Sequence, residues 1–138
     1  MNENLRLART GIDEIDDQHE KLLADLERLE FWMRKGFGLA ATFDALNALL
    51  AYAETHFRFE EDFLHRQAYP KVEEHVAQHQ DFVRQIAALR QSLEAGQDVA
   101  QSLADAMRTW IIRHINEEDI EYADYLRRGW SGGGPGVA

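Results

Sequence analysis

Seven side chains that could bind metal ions recur at helical spacing along the chain. Five histidines and two carboxylates occupy the apolar stripes of four segments: His19, His56, Glu60, His75, His79, His114 and Asp119. A lone histidine in such a stripe is more often a hydrogen-bonded core residue. Five imidazoles and two carboxylates converging in one core would carry a severe polar burial cost without a ligand. The combination therefore predicts a metal site.

The number and type of these donors indicate two ions. Imidazole suits zinc, copper, iron and nickel, and carboxylates add hard oxygen donors. Seven ligands are more than one ion can accept. If two six-coordinate ions share both carboxylates and one bridging oxide or hydroxide, one coordination position stays open. An open position is typical of a site that binds a small molecule.

The rest of the sequence predicts the helices that position these residues. The 138 residues fit one domain. Glycine and proline leave four segments rich in helix-favouring residues: 12–35, 39–67, 70–95 and 98–128. Each carries apolar residues at intervals of three and four. We therefore expect an all-α, up-down-up-down four-helix bundle over residues 1–128, with an N-terminal arm. Residues 129–138 read as a flexible Gly-rich tail.

Local signals predict the helix ends. Gly36 and Gly96 suit the position just after a helix. Pro70 suits the first turn of the third helix, where its missing N–H costs little. Asp98 is a candidate N-cap of the fourth helix, with Gln101 completing a capping box.

The fourth apolar stripe slips by one residue. After His114 the inward pattern resumes at Asp119, five residues on, and continues through Tyr122 and Leu126. One inserted residue of the π-helix type between His114 and Asp119 would restore the register. Such bulges are frequent at functional sites.

Composition excludes several classes of function. The chain has no cysteine, which removes disulfides, thiolate metal sites, iron–sulfur clusters and a cysteine nucleophile. Its net charge of −10 disfavours nucleic acid as a partner. There is no polybasic membrane anchor and no apolar run near the ~18 residues of a membrane span. The N-terminus lacks the apolar stretch of a signal peptide, so we expect a cytoplasmic protein.

Four stretches of the chain resemble the bacterial hemerythrins: GIDEIDDQH, THFRFEED, YPKVEEHVAQHQDF and IIRHINEEDIEYADYL. The resemblance covers roughly residues 11–127 and implies a non-haem di-iron centre that binds O2 reversibly. It implies that one iron is held by three histidines, that the other is held by two, and that both carboxylates bridge. By this resemblance, the three-histidine iron would be held by His75, His79 and His114. The two-histidine iron would be held by His19 and His56, and the bridging carboxylates would be Glu60 and Asp119. The open position then belongs to the two-histidine iron, and His65 matches no ligand.

The function expected from this resemblance is O2 carriage, storage or sensing, not catalysis, with small anions such as azide and possible NO as further ligands. A di-iron oxidase or peroxidase is the first alternative, although the Glu-x-x-His motif of carboxylate-rich di-iron enzymes is absent. An O2 or NO sensor acting through a separate partner protein is the second, and zinc hydrolysis is the weakest. Apolar residues one turn from the ligands are expected to line the O2 pocket: Leu22, Leu23, Phe59, Trp110, Ile111 and Ile115.

Overall fold

Helices account for most of the chain in the computed structural model, which describes residues 7–36 and 38–131. The elements are α1 (Asp13–Lys35), α2 (Leu39–Arg66), α3 (Val72–Glu94), α4 (Ala100–Arg113), a π-helical segment (His114–Asp119) and α5 (Ile120–Ser131). The π segment joins α4 to α5 without a break, so the three form one long fourth helix. No helix within the described ranges is long and apolar enough to cross a membrane.

Neighbouring helices along the chain pack against each other, and α1 also packs against α4, which closes the bundle. Short connections between consecutive helices give antiparallel neighbours. The predicted all-α four-helix bundle is thus confirmed. α5 continues to Ser131, so residues 129–131, which were predicted to be part of a flexible tail, are helical. Residues 132–138 of that segment lie outside the described part of the chain.

The predicted ends of α1 and α3 at glycine are confirmed. Gly36 follows α1 directly with a φ of +69°, and its N–H closes the last turn on the carbonyl of Met33 at 3.3 Å. Gly96 follows α3 after one residue with a φ of +91°. Because L side chains rarely adopt positive φ, glycine ends each helix at little steric cost.

Two predicted helix starts are wrong. Pro70 is not in the first turn of α3, because the chain between α2 and α3 forms a turn that buries Tyr69 to 4% exposure. Helix geometry begins only at Val72. Asp98 does not cap α4 either. The residue before that helix is Val99, and the Gln101 amide donates to Asp105 at 2.9 Å instead of completing a capping box.

Two hydrophobic clusters fill the bundle and leave a polar layer between them. The larger cluster contains Leu22, Leu26, Leu46, Leu49, Phe82, Ile86, Leu103, Met107, Ile111 and Ile115, among others. The smaller contains Ile15, Leu64, Tyr69, Tyr122, Ala123 and Leu126. Each fully buried aliphatic side chain contributes roughly 1.5–3 kcal/mol. On every helix the metal-binding candidates fall between the two clusters, so apolar packing on both sides fixes their position.

The N-terminal arm packs against α1 and alongside the π segment. Thr10 is 1% exposed and donates from its N–H and its hydroxyl to Asp16, at 2.8 and 2.9 Å. The N–H of Ala8 donates to the side chain of Asn116, inside the π segment, at 2.8 Å. Leu7 packs against the larger cluster. The arm is therefore tied to α1 and to the segment that carries two of the candidate ligands.

Candidate metal centre

The polar layer of the bundle contains all seven residues that the sequence singles out. One comes from α1, two each from α2 and α3, and two from the ends of the π segment: His19, His56, Glu60, His75, His79, His114 and Asp119. Each is buried, with an exposed fraction between 0% and 6%. Five imidazoles and two carboxyl groups therefore share one solvent-excluded region.

The π segment is what brings its two residues into the layer together. In a regular α-helix, residues five apart point about 140° away from each other. The wider π turn brings His114 and Asp119 onto the same face. The predicted π bulge is confirmed, and the register of Tyr122 and Leu126 in the smaller cluster follows from it.

The seven side chains form two groups whose candidate ligand atoms lie within 4.8 Å of one another. The three-histidine group comprises Glu60, His75, His79 and His114. The two-histidine group comprises His19, His56, Glu60 and Asp119. Glu60 belongs to both groups.

Each carboxylate directs one oxygen at each group. Glu60 Oε1 lies 3.0 Å from Nε2 of both His75 and His79. Its Oε2 lies 3.8 Å from Nε2 of His19 and 3.9 Å from that of His56.

Asp119 repeats this arrangement on the other side. Its Oδ1 is 2.9 Å from Nε2 of His75 and 3.3 Å from Nε2 of His114. Its Oδ2 is 3.0 Å from Nε2 of His19. Two carboxylates that each face two clusters of imidazoles have the geometry of bridging ligands.

Unsatisfied polar atoms in this layer point to metal ions as the ligand. Despite the short contacts, six buried atoms have no hydrogen-bond partner: both ring nitrogens of His19, Nε2 of His79, Nε2 of His114 and both oxygens of Asp119. Buried polar atoms in proteins are nearly always paired, and leaving one unpaired is costly. The atoms converge on the two groups, and mixed imidazole and carboxylate donors suit a first-row transition metal. The donor set fits a pair of such ions.

A protein-family model, the hemerythrin HHE cation binding domain, matches residues 10–126. The chain belongs to the hemerythrin family. Bacteriohemerythrin of Stenotrophomonas maltophilia is 30% identical over 85% of this chain and 76% of its own length. Bacteriohemerythrin of Clostridium acetobutylicum is 34% identical over 83% and 92%, and myohemerythrin-1 of Phascolopsis gouldii is 27% identical over 86% and 88%.

The family resemblance deduced from the sequence is thereby confirmed. Hemerythrins bind O2 at a di-iron site. The paired groups of this hemerythrin, with carboxylates directed at both, fit that cofactor.

Without metal, the two carboxylates of this hemerythrin stay ionised. Burial by itself raises the pKa of Glu60, but the surrounding imidazoles, those of His19 and His75 first, hold it well below its usual value. Burial and the charge of Glu60 both raise the pKa of Asp119, and the imidazoles, led by His114, more than reverse this. Two negative charges therefore remain inside the bundle and must be compensated.

The histidines divide in how they provide that compensation. Burial lowers the pKa of His19, but contacts with Asp119 and Glu60 outweigh it and raise the value to about 9. The same balance raises the pKa of His75 to about 10. Burial prevails at His56, whose pKa falls to about 4. In the metal-free protein, protons on His19 and His75 thus supply part of the positive charge that metal ions would supply.

Three residues outside the predicted set hold the ligands in place. His56 Nδ1 donates to the side-chain oxygen of Gln18 at 2.6 Å, and His79 Nδ1 donates to Glu61 at 2.8 Å. Because Nδ1 is engaged, Nε2 is the nitrogen left to bind metal. The Tyr122 hydroxyl donates to Oε2 of Glu60 at 2.7 Å.

Reading the apolar stripes misses these partners for a simple reason. Gln18 and Glu61 are each adjacent in sequence to a ligand, so they fall beside the stripe and not on it. Tyr122 lies on the stripe but reads as an ordinary core aromatic. The sequence offers one signal for Gln18 and Glu61, namely a polar residue directly beside a ligand. The same signal is expected of any solvent-exposed helix position, so it does not identify these partners.

The expected O2-pocket residues do not all lie in one place. Leu22, Ile111 and Ile115 are buried in the larger cluster, with Leu23 and Trp110 packed against it. Trp110 stacks on His114, with ring centroids 4.3 Å apart, so it lies against the three-histidine group. Phe59 packs against the smaller cluster instead. His65 is exposed and belongs to neither group.

Proposed function

We propose that this hemerythrin binds O2 reversibly at a di-iron centre, with one iron in each group. The observation that carries the proposal is the position of Glu60 and Asp119, each with one oxygen toward either group. Carboxylates shared in this way would hold two ions close together, as a two-electron exchange with one O2 molecule requires. A bound pair of irons would supply those two electrons and recover them when O2 leaves.

The assignment of ligands follows the two groups. His75, His79 and His114 would hold one iron, and His19 and His56 the other, with both carboxylates and an oxide or hydroxide as bridges. The two-histidine iron then has one ligand fewer from the protein. We therefore propose that O2, and small anions such as azide, bind on the side of His19 and His56.

Aliphatic residues would keep water away from that position. Leu22 follows His19 by three residues on the same face of α1 and is 2% exposed. Ile111 and Ile115 belong to the same hydrophobic cluster as Leu22 and are each 2% exposed. A dry lining would restrict the supply of protons, which the release of hydrogen peroxide requires. This is the feature that makes a reversible carrier different from an oxidase.

Recording the visible spectrum through a full cycle tests the proposal. The iron-loaded protein is reduced without O2, exposed to O2 and then returned to an O2-free atmosphere. We expect bands that appear with O2, disappear on its removal and return on a second exposure, with about two irons per chain. Azide should prevent their appearance. Irreversible conversion to the ferric form in the first exposure would contradict the proposal and favour an oxidase.

The first alternative, a di-iron oxidase or peroxidase, has less support from the ligand set. Five neutral imidazoles donate less negative charge than the glutamate-rich sets of such enzymes, so strongly oxidised iron is less accessible. The second alternative, an O2 or NO sensor with a separate protein partner, uses the same site. Carriage, storage and sensing, the partner for delivery or signalling, and the cytoplasmic location all stay predictions.

A further inference from the structure

Two neighbouring cavities border the three-histidine group on the side of α3 and the π segment. The larger, of about 590 Å³, is walled in part by His114 and Trp110. The smaller, of about 250 Å³, reaches His75. Gln78 and Glu118 line both cavities, so they lie at the boundary between them. We name the two cavities together the α3–π vestibule.

The vestibule has an excess of negative charge. Its charged lining residues, apart from the ligands, are five carboxylates and two cations: Glu74, Asp105, Glu117, Glu118, Glu121, Lys71 and Arg113. Lys71 pairs with Glu121 at 2.8 Å. Arg113 lies 3.5 Å from Glu117. Glu118 has no hydrogen bond or ion pair with any residue that the structure describes.

Unpartnered donor atoms lie behind the wall of the vestibule, between this charge and the metal centre. Gln78 lines both cavities, and its side-chain oxygen is buried without a hydrogen bond. His114 is 6% exposed, forms part of the wall, and its Nε2 also has no hydrogen bond. A free carboxylate, then an amide oxygen, then an imidazole nitrogen is a series of donors suited to a divalent transition-metal ion.

We propose that divalent metal ions reach the centre through the α3–π vestibule, and that Glu118 and Gln78 bind them transiently on the way to His114 and His75. A wall of one charge sign raises the local concentration of the opposite ion and its rate of association. Because Glu118 has no ion pair to break, it can bind a cation without that cost. This inference rests on the proposed function only in requiring that the two groups take up metal.

A second route is less suited to a cation. The cavity of about 460 Å³ between α2 and α3 borders His79, but its four other charged residues are two acids and two bases: Glu54, Glu61, Arg58 and Arg84. Glu61 is occupied by its hydrogen bond with His79. Glu54 is exposed and provides a matched control, because Glu54→Gln removes the same charge at the mouth of this other cavity.

The experiment follows Co²⁺ uptake by the metal-free full-length protein in a stopped-flow spectrometer at low ionic strength. We expect Glu118→Gln to slow uptake by about three- to tenfold, with a difference that shrinks at high salt because the steering is electrostatic. Gln78→Leu should slow uptake without changing its salt dependence. Glu54→Gln should take up Co²⁺ at the wild-type rate, and every variant should reach the same final content of metal.

Wild-type rates in both Glu118→Gln and Gln78→Leu would overturn the proposed route. Equal slowing by Glu54→Gln would also overturn it, since the effect would then reflect net charge alone. A lower final metal content in Glu118→Gln would overturn the transient role of that residue. Failure of reversible O2 binding with unchanged uptake differences would contradict the proposed function but support this route, so the two proposals fail separately.

Discussion

The two groups of the candidate metal centre both face Glu60 and Asp119 but differ in the residues that surround their histidines. In the three-histidine group, His79 stacks on Phe57 with ring centroids 3.9 Å apart, and His114 stacks on Trp110 at 4.3 Å. In the two-histidine group, His19 and His56 meet edge to face at 4.9 Å. The three-histidine group has aromatic walls on two of its ligands, whereas the residue flanking His19 on its own helix face, Leu22, is aliphatic.

The partners of the ligands differ in charge as well. A carboxylate, Glu61, accepts the Nδ1 proton of His79, whereas a neutral amide, that of Gln18, accepts the Nδ1 proton of His56. A carboxylate partner makes the imidazole a stronger donor than an amide does. We therefore expect the three-histidine group to coordinate its ion tightly and completely, and the two-histidine group to bind its ion more weakly with one position open.

Removing what the groups share should have the largest effect. Glu60→Ala deletes the proposed bridging ligand and leaves five buried imidazoles with Asp119 as the one remaining carboxylate of the two groups. We expect loss of iron from both groups together, not from one of them. His65→Ala is the control, because His65 is exposed and surface changes usually stay within ~0.5 kcal/mol. Metal analysis after gel filtration measures the outcome. One iron retained in Glu60→Ala would show that the groups bind independently.

The positions of the candidate ligands could be predicted from the sequence, but their hydrogen-bond partners could not. The seven residues of the polar layer could be predicted because metal ligands must lie on inward stripes. The π segment could be predicted because a five-residue gap from His114 to Asp119 breaks the α-helical period. Gln18 and Glu61 were not, since hydrogen bonds to Nδ1 come from beside the stripe and depend on side-chain rotamers. The start of α3 was missed because burial of Tyr69 outweighs the local preference of Pro70.

Changing the partners of the ligands should distinguish the groups. Loss of such a partner typically lowers metal affinity by about 10- to 100-fold. We expect Glu61→Ala, which removes a charge, to lower the affinity for the three-histidine iron by an amount near the upper end of this range. Gln18→Ala should lower the affinity for the two-histidine iron by an amount near the lower end. Competition with a chelator, followed metal by metal, gives both affinities. Equal losses, or both variants acting on the same iron, would refute the contrast.

Proton release on metal binding should occur in both groups and be at least as large in the three-histidine group. At pH 7 the raised pKa values of His19, about 9, and His75, about 10, keep both imidazoles protonated without metal. Each must lose its proton to bind an ion, so affinity should rise about tenfold per pH unit in each group. The pKa of His79 is also raised, so His79 can only add to the number of protons released from the three-histidine group. Calorimetry in buffers of different ionisation enthalpy counts the protons, and a count near zero would contradict the charge state described here.

The metal-free protein provides a check of sign. A pKa that is raised on folding stabilises the fold at low pH, so the contribution of His19 and His75 is full below about pH 6.5, their unfolded value. It is lost as pH rises through 9 and 10. Thermal unfolding of the metal-free protein should therefore occur at lower temperature at pH 9 than at pH 6.5. The metal-loaded protein, whose imidazoles are neutral, should not show this decline.

The smallest predicted effect concerns access to the two-histidine side. Leu23 is partly buried against the larger cluster and follows His19 by four residues on α1. Leu23→Ala should admit water and anions. Azide binding should therefore accelerate a few-fold, and so should loss of the bound oxygen as hydrogen peroxide, which leaves the protein in its ferric form. Leu89→Ala is the matched control: it makes the same change in the same cluster, about 15 Å along α3 from His79. Both variants lose comparable apolar packing, so their melting temperatures should fall by similar amounts while only Leu23→Ala changes the rates.

Equal acceleration in the two variants would mean that general loosening of the bundle, and not local packing over His19, controls access. Azide found against His75, His79 and His114 in a crystal structure would move the open position to the other iron and reverse the contrast between the groups.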